Sequence, residues 1–450
     1  MDKKSHSKEA QVTAIADDTP ISVESKRLVA DVFGDEDGHD IKYKTLSWQL
    51  VAALMITEIV SNGMLTLPNA MAAVGIVPSL VLTIFLGVFA LFTAKLLVDF
   101  KLNHPEVHNM GDAGYIMFGP IGREVLSLGS IIFAVFAVGA LVLTGQQALT
   151  VLTNNALCAS IFLVIVTVAV FLLSLPRTLQ RLSWLGLCSA VFIGLSGTNP
   201  IPGRTVVATV PTNFYQAFLA ITGPVFAYAG HFVFFILISE MRRPEDAMKA
   251  AWVLQGFATT FYAVFSVVVY VYIGSTVESP ALFSLSPIWV KITFAFGLVN
   301  FLITGALYTH TAAKLAFVRL FRGTSHLHTH TARGWAAWLA LCLAASASAC
   351  VLAAAVPIFA DLVGITASLF ASWYTYGIAG FFWLFDAYHG IGKRARGRGL
   401  AAWQRRWGMA ALAGATVLAG AFMCVAGTYV SVKLIVDAYR EGLVGKPFTC

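Results

Sequence analysis

Glu58 is a carboxylate set in an apolar run, just ahead of the stretch Ser61-Asn62-Gly63-Met64-Leu65-Thr66-Leu67-Pro68. A charge at the centre of a bilayer costs about 2.5 to 3.5 kcal/mol on insertion scales, so an intramembrane carboxylate persists where something compensates it. Two chemistries fit: a carboxylate that binds a coupling proton, or one that orients an unwound segment. A neutral acid, hydrogen-bonded for packing, is the plain alternative. Gly63 and Pro68 both weaken helix, and an interrupted helix leaves backbone amides and carbonyls free to face a cavity. Ser61 and Asn62 add hydrogen-bonding groups at the same depth. A second interruption carries Thr222-Gly223-Pro224 and then Tyr228-Ala229-Gly230-His231, ahead of a charged end at Glu240-Met241-Arg242-Arg243-Pro244. His231, beside Gly230, is of a type that titrates near neutral pH or donates to a substrate, and a packing histidine is the equal alternative.

Other candidates carry less chemistry. Thr309, His310, Thr311 and Lys314 supply hydroxyls and charges, although an interfacial helix end explains them as well. His326, His328 and His330 form an HxHxH tract with no carboxylate or cysteine nearby to complete a metal set. The six cysteines, Cys158, Cys188, Cys342, Cys350, Cys424 and Cys450, are spread singly, and all but the last lie in apolar segments where a thiol packs as a small hydrophobe. There is no P-loop, no nucleophile paired with a base and no His/Glu metal set, so neither ATP as energy source nor an enzyme is expected. No cofactor is expected either.

The elements that position these residues are membrane helices. Of the 450 residues, 58% are hydrophobic and 12% charged, against roughly 25% charged in soluble domains. Apolar runs of about 20 residues recur from Leu46 to Val436, which predicts an all-α integral membrane protein of about eleven spans rather than a β-barrel. Residues 1–42 read as a disordered cytosolic tail, 43–436 as the transmembrane unit and 437–450 as a short tail. With the N-terminus inside, 25 of the 30 Lys and Arg fall on the cytosolic side and 5 outside, the bias that insertion imposes. The net charge of +7 is therefore topological, with lipid rather than nucleic acid as the partner. The interrupted spans are the first and the sixth. Five spans apart is the relation of corresponding helices in two inverted repeats, whose half-helix ends bind the two charges of a zwitterion. One break alone would pass as a packing kink; the pair points to a site.

The stretch Glu58 to Pro68, the loop from His104 through Gly111-Asp112-Ala113-Gly114-Tyr115 to Arg123, Leu175-Pro176-Arg177, Ile238-Ser239-Glu240-Met241 and Tyr308-Thr309-His310-Thr311 occur in an order that resembles the amino acid/auxin permease superfamily, most closely its fungal neutral amino acid permeases. The resemblance implies a LeuT-like fold of two inverted five-helix repeats plus one helix. It also implies secondary transport of amino acids, usually with protons. The cavity it implies is lined by Ser61, Asn62, Gly63, Met64 and Leu65 of the first break and by Thr222, Gly223 and Phe226 of the sixth. Glu58 and His231 are the coupling candidates.

The expected activity is proton-coupled symport of neutral amino acids; Phe133, Phe136, Phe226 and Tyr228, near the expected cavity, would suit aromatic and large aliphatic ones, and packing, the default for aromatics in apolar spans, is the equal alternative. A plasma-membrane location is expected, with a vacuolar carrier of the same fold or a sensor without sustained flux as rivals. The fifth span, Leu182 to Gly197, is short, being cut by Thr198-Asn199-Pro200, and a stretch of that length crosses only with local thinning or polar flanks.

Overall fold

The computed structural model describes residues 44–176, 204–322, 324–327, 329–392 and 397–442. The first apolar run forms α1 (Trp48–Ile59), whose N-terminus is capped by the Ser47 hydroxyl accepting from the Leu50 amide. It then breaks into a short 3-10 turn over Asn62–Thr66 before α2 (Leu67–Val74). Pro68 sits in the first turn of α2, where its missing N–H costs nothing. Gly75, at φ 95°, ends α2 and lets the chain reverse directly into α3 (Ile76–Asn103).

There follow α4 (Met110–Leu152), kinked at Gly119 ahead of Pro120, and α5 (Ala159–Ser174). The sixth run is interrupted as the first is: α6 (Phe214–Ala227) stops at Tyr228 and α7 (His231–Ser239) resumes after Gly230. Next come α8 (Ala247–Ile273), α9 (Pro287–Phe321) and α10 (Ala332–Ala355). The tenth run starts as α11 (Phe359–Thr366), widens into a π-helix over Ala367–Gly377 and closes as α12 (Ile378–His389). A short α13 (Leu400–Arg405) leads into α14 (Trp407–Arg440).

Among the described residues nine helical segments are long and apolar enough to cross a membrane, and α5 is a shorter apolar helix. The expected fifth span, 182–197, lies outside the described residues, as do the tail 1–42 and the residues His328, Cys188 and Cys450. Hydrogen bonds fix which helix ends lie together. At one end Leu46 pairs with Met241, Trp338 of α10 donates to the Leu175 carbonyl, and Lys314 of α9 pairs with Glu240. At the other, the Ile76 and Val77 amides bond to Val207 and Ala208, Ser275 bonds to Thr205, and Tyr439 of α14 donates to Ala355. Leu175 and Thr205 thus lie at opposite ends, as do Leu46 and Tyr439, the parity that eleven crossings require.

The interrupted spans are innermost. The apolar window of α1–α2 is 89% buried and that of α6–α7 83%, against 17% for α14, which turns Leu418, Phe422 and Val425 outward to lipid. The last helix runs to Arg440, four residues past the expected boundary at Val436. Cys158, expected to be a lone thiol, is disulfide-bonded; Cys342, Cys350 and Cys424 are free.

Candidate substrate site

The two breaks cross in backbone contact. A Cβ on Gly63 would stand 2.5 Å from Cα of Ala227, and one on Gly223 would stand 2.6 Å from the Thr66 hydroxyl. Both positions therefore need glycine for space rather than for unusual dihedrals. Beside the crossing lies a cavity of about 10 Å³ lined by Glu58, Ser61, Asn62 and Gly63 from the first break and Phe226 and Ala229 from the sixth. Ala137 and Leu141 of α4, with Thr304 and Tyr308 of α9, close the remaining wall. That volume is about what one water needs, so in this conformation the walls have come together.

The polar groups on this cavity are incompletely used. Asn62 is buried with both its amide oxygen and its amide nitrogen unpartnered, and Oε1 of Glu58 is likewise buried without a hydrogen bond. The Tyr308 side chain faces the Glu58 carboxyl across this cavity. Ser61 Oγ donates to Asn300 Oδ1 at 2.6 Å, and Thr304 Oγ1 stands 3.5 Å from both Asn300 Oδ1 and the Thr57 carbonyl. Buried polar groups without partners are uncommon and costly, and here they gather on one cavity between two helix breaks.

Of the sequence candidates, Glu58, Ser61, Asn62, Gly63 and Phe226 line the cavity. Met64 and Leu65 are fully buried in the core. Thr222 turns its hydroxyl to the Leu219 carbonyl, and Gly223 serves the contact with Thr66. His231 points to α3, where Nε2 lies 2.8 Å from the Ala90 carbonyl and 3.3 Å from the Thr93 hydroxyl. Phe133 stacks on Phe370 and packs on Phe232, Phe136 packs on Phe370, and Tyr228 donates to the Thr83 carbonyl. Sequence reasoning missed Asn300, Thr304 and Tyr308, which recur at a spacing of four and so share one face of α9. That stripe on one face of the helix was the available signal. It also missed Tyr262 of α8, whose hydroxyl lies 2.7 Å from the Ile59 carbonyl and 2.8 Å from the Ala227 carbonyl.

The end that carries Leu46 is closed by side-chain pairs. Lys314 meets Glu240, Lys101 donates to the Pro105 and Val107 carbonyls, and Arg322 meets Asp112 at 3.2 Å. His104 lies 2.8 Å from Asp386, which also accepts from Asn103. Burial works against a charge on His104, but the Asp386 and Glu106 carboxylates prevail and push its pKa up to about 9. His310 packs edge-on against Trp338, and His326 bonds the Thr331 hydroxyl. Among the described residues no group of three or more His, Cys, Asp or Glu is placed to hold a metal ion.

Comparison with known proteins agrees with this geometry. The family model described as "Transmembrane amino acid transporter protein" matches residues 44–433. The chain is similar to the "N amino acid transport system protein" of Neurospora crassa, 30% identical over 436 residues, covering 92% of this chain and 90% of the relative. A "Transmembrane transporter" of Gibberella moniliformis is 28% identical over 462 residues, covering 99% and 95%. Among solved structures, a sodium-coupled sialic acid symporter in a substrate-bound outward-open state aligns with TM-score 0.51 at 10% identity, covering 90% of this chain and 95% of that one. At that identity the likeness speaks for the LeuT-like fold alone.

Proposed function

We propose, from the premise that this chain belongs to the transmembrane amino acid transporter family, that it is a proton-coupled symporter of neutral amino acids working by alternating access. The observation that carries the reading is the gathering of unmet polar groups, the Asn62 amide and one Glu58 carboxyl oxygen, on a narrow cavity between two broken helices. An α-amino acid is a zwitterion, and each broken span offers both dipole ends at mid-depth. The C-terminal ends of α1 and α6 present carbonyls to the ammonium, and the turn from Asn62 that leads into α2 presents amides to the carboxylate. Asn62 carries a donor and an acceptor and serves either charge.

Phe226, Ala137 and Leu141 give the wall an apolar part, Ser61, Thr304 and Tyr308 add neutral hydroxyls, and Glu58 is its one carboxyl group. A charged substrate side chain would find no opposite charge left over once Glu58 is used for coupling, which supports neutral substrates. Glu58 takes the proton. Its neighbour Tyr308 belongs to α9, so gaining or losing that proton alters the interaction between the first span and the wall across the cavity. His231, bonded to α3 away from the cavity, is read as holding α7 in place. Because the cavity is far too small for an amino acid, loading requires the broken spans to separate from α4 and α9, and release at the end carrying Leu46 requires the Lys314–Glu240 and Arg322–Asp112 pairs to part.

The test is uptake into liposomes by the purified protein. Labelled neutral amino acids accumulate under an inward proton gradient and not under a sodium gradient alone, and a protonophore abolishes the accumulation. Saturable binding with no flux under any gradient overturns the transport reading in favour of a sensor. We propose a plasma-membrane location with a cytosolic N-terminus, a reading supported by the Lys and Arg distribution for the orientation, which membrane fractionation and protease access to an N-terminal tag check.

A further inference from the structure

Tyr262 sits on α8, outside both breaks, and its side chain is fully buried. Its hydroxyl nevertheless reaches the last carbonyl of α1, on Ile59, at 2.7 Å and the last carbonyl of α6, on Ala227, at 2.8 Å. Helix C-termini leave carbonyls without intrahelical partners, and burial makes each one costly unless a donor arrives. One phenol stands within hydrogen-bond reach of both broken spans. The ring is held edge-on against Tyr228 at 5.2 Å between centroids, so the hydroxyl has little freedom to leave.

A phenol has one proton and cannot satisfy two carbonyls at once. The Ile59 carbonyl, whose residue also lines the cavity, accepts from the Ser61 amide at 3.0 Å as well, so when the phenol proton is on Ile59 it is the Ala227 carbonyl that goes short of a donor. We infer that Tyr262 is a positioning residue for substrate: it ties the C-terminal ends of the two broken helices to each other and keeps one carbonyl of the pair available to the ammonium of an amino acid. When the ammonium donates to the carbonyl left over, Tyr262 keeps the other, and all the buried acceptors are met. Without the hydroxyl the two ends lose their common tether, and the substrate must order them itself.

This inference rests on the proposed amino acid transport, so the experiment reads both. In liposomes, Tyr262→Phe is compared with the parent protein and with Tyr374→Phe, which removes a buried hydroxyl that donates to the Leu126 carbonyl away from the cavity. Tyr262→Phe raises KM for a neutral amino acid about tenfold with Vmax per folded transporter changed less than twofold, and the pH profile of uptake keeps its midpoint. Tyr374→Phe leaves KM where it was. If Tyr262→Phe does not fold, 3-fluorotyrosine at position 262 keeps the shape and sharpens the donor, and KM then shifts at least twofold. An unchanged KM in the phenylalanine variant, or in the fluorinated protein where that is the one that folds, overturns the inference while leaving transport intact. No uptake by the parent protein overturns the transport reading itself.

Discussion

At the scale of single residues the protein tolerates costs that a packing role would not explain. Asn62 keeps an entire amide unpaired in the interior, although an apolar residue of similar size would pack there at lower cost. Glu58 keeps one oxygen unpaired a turn away. His104 shows the opposite policy, with every neighbouring carboxylate recruited to hold its charge. Because its folded pKa of about 9 lies above the ordinary value of 6.5, the stabilisation it brings is fully present below about pH 6.5 and is lost as pH rises through about 9. The purified protein in detergent therefore loses thermal stability across that window, and His104→Gln removes that part of the slope. Parallel melting curves for the two proteins between pH 6.5 and 10 would rule the pairing out as a contributor.

At the scale of elements the breaks were readable and their use was only partly so. Glycine, proline and asparagine in an apolar run announce a discontinuity, and the first interruption falls at the expected stretch, Ser61–Thr66, but the sixth falls at Tyr228–Gly230, beyond the expected Thr222–Phe226, which stay helical in α6 with Pro224 inside the helix. Which side chains face the cavity depends on helix phase after the break. His231 is adjacent in sequence yet turned toward α3, and Met64 and Leu65 are turned into the core. The stripe of Asn300, Thr304 and Tyr308 was legible as a spacing, but its meaning depends on which helix crosses opposite. Tyr262 carried no signal, since a tyrosine in an apolar run reads as packing until two carbonyls are seen against it. The π-helix of the tenth span was not foreseen either; there Gly377 and Gly420 approach so closely that a Cβ on Gly420 would stand 2.6 Å from the Gly377 backbone. The crossing of the breaks makes its own prediction. Gly63→Ala drives a methyl into the Ala227 backbone, an overpacking cost of about 1 to 3 kcal/mol, and is expected to cut uptake at least tenfold per folded molecule. Gly256→Ala on α8, where a Cβ meets nothing within 4 Å, leaves uptake unchanged and stabilises the helix slightly. Equal activity of the two variants, each assayed against its own folded amount, would contradict a functional crossing.

At the scale of the whole molecule, topology was the most legible property, because basic residues and apolar length are imposed by insertion and not by tertiary packing. The helix ends gathered by hydrogen bonds sort into the two sets that the Lys and Arg distribution predicts. The proposed transport rests on a cavity too small for an amino acid and on charged pairs joining the helices at one end, an arrangement that must open to pass a substrate. The proposed coupling of that opening to a proton places one demand on one carboxyl group. The most direct measurement is therefore to compare two modes of transport by Glu58→Gln in the same liposomes. The account predicts that exchange of labelled for unlabelled neutral amino acid, which needs no net proton movement, stays within threefold of the parent protein, while accumulation driven by an inward proton gradient falls at least tenfold and loses its pH dependence. Gradient-driven accumulation by Glu58→Gln at the parent level, with the same pH dependence, would contradict it.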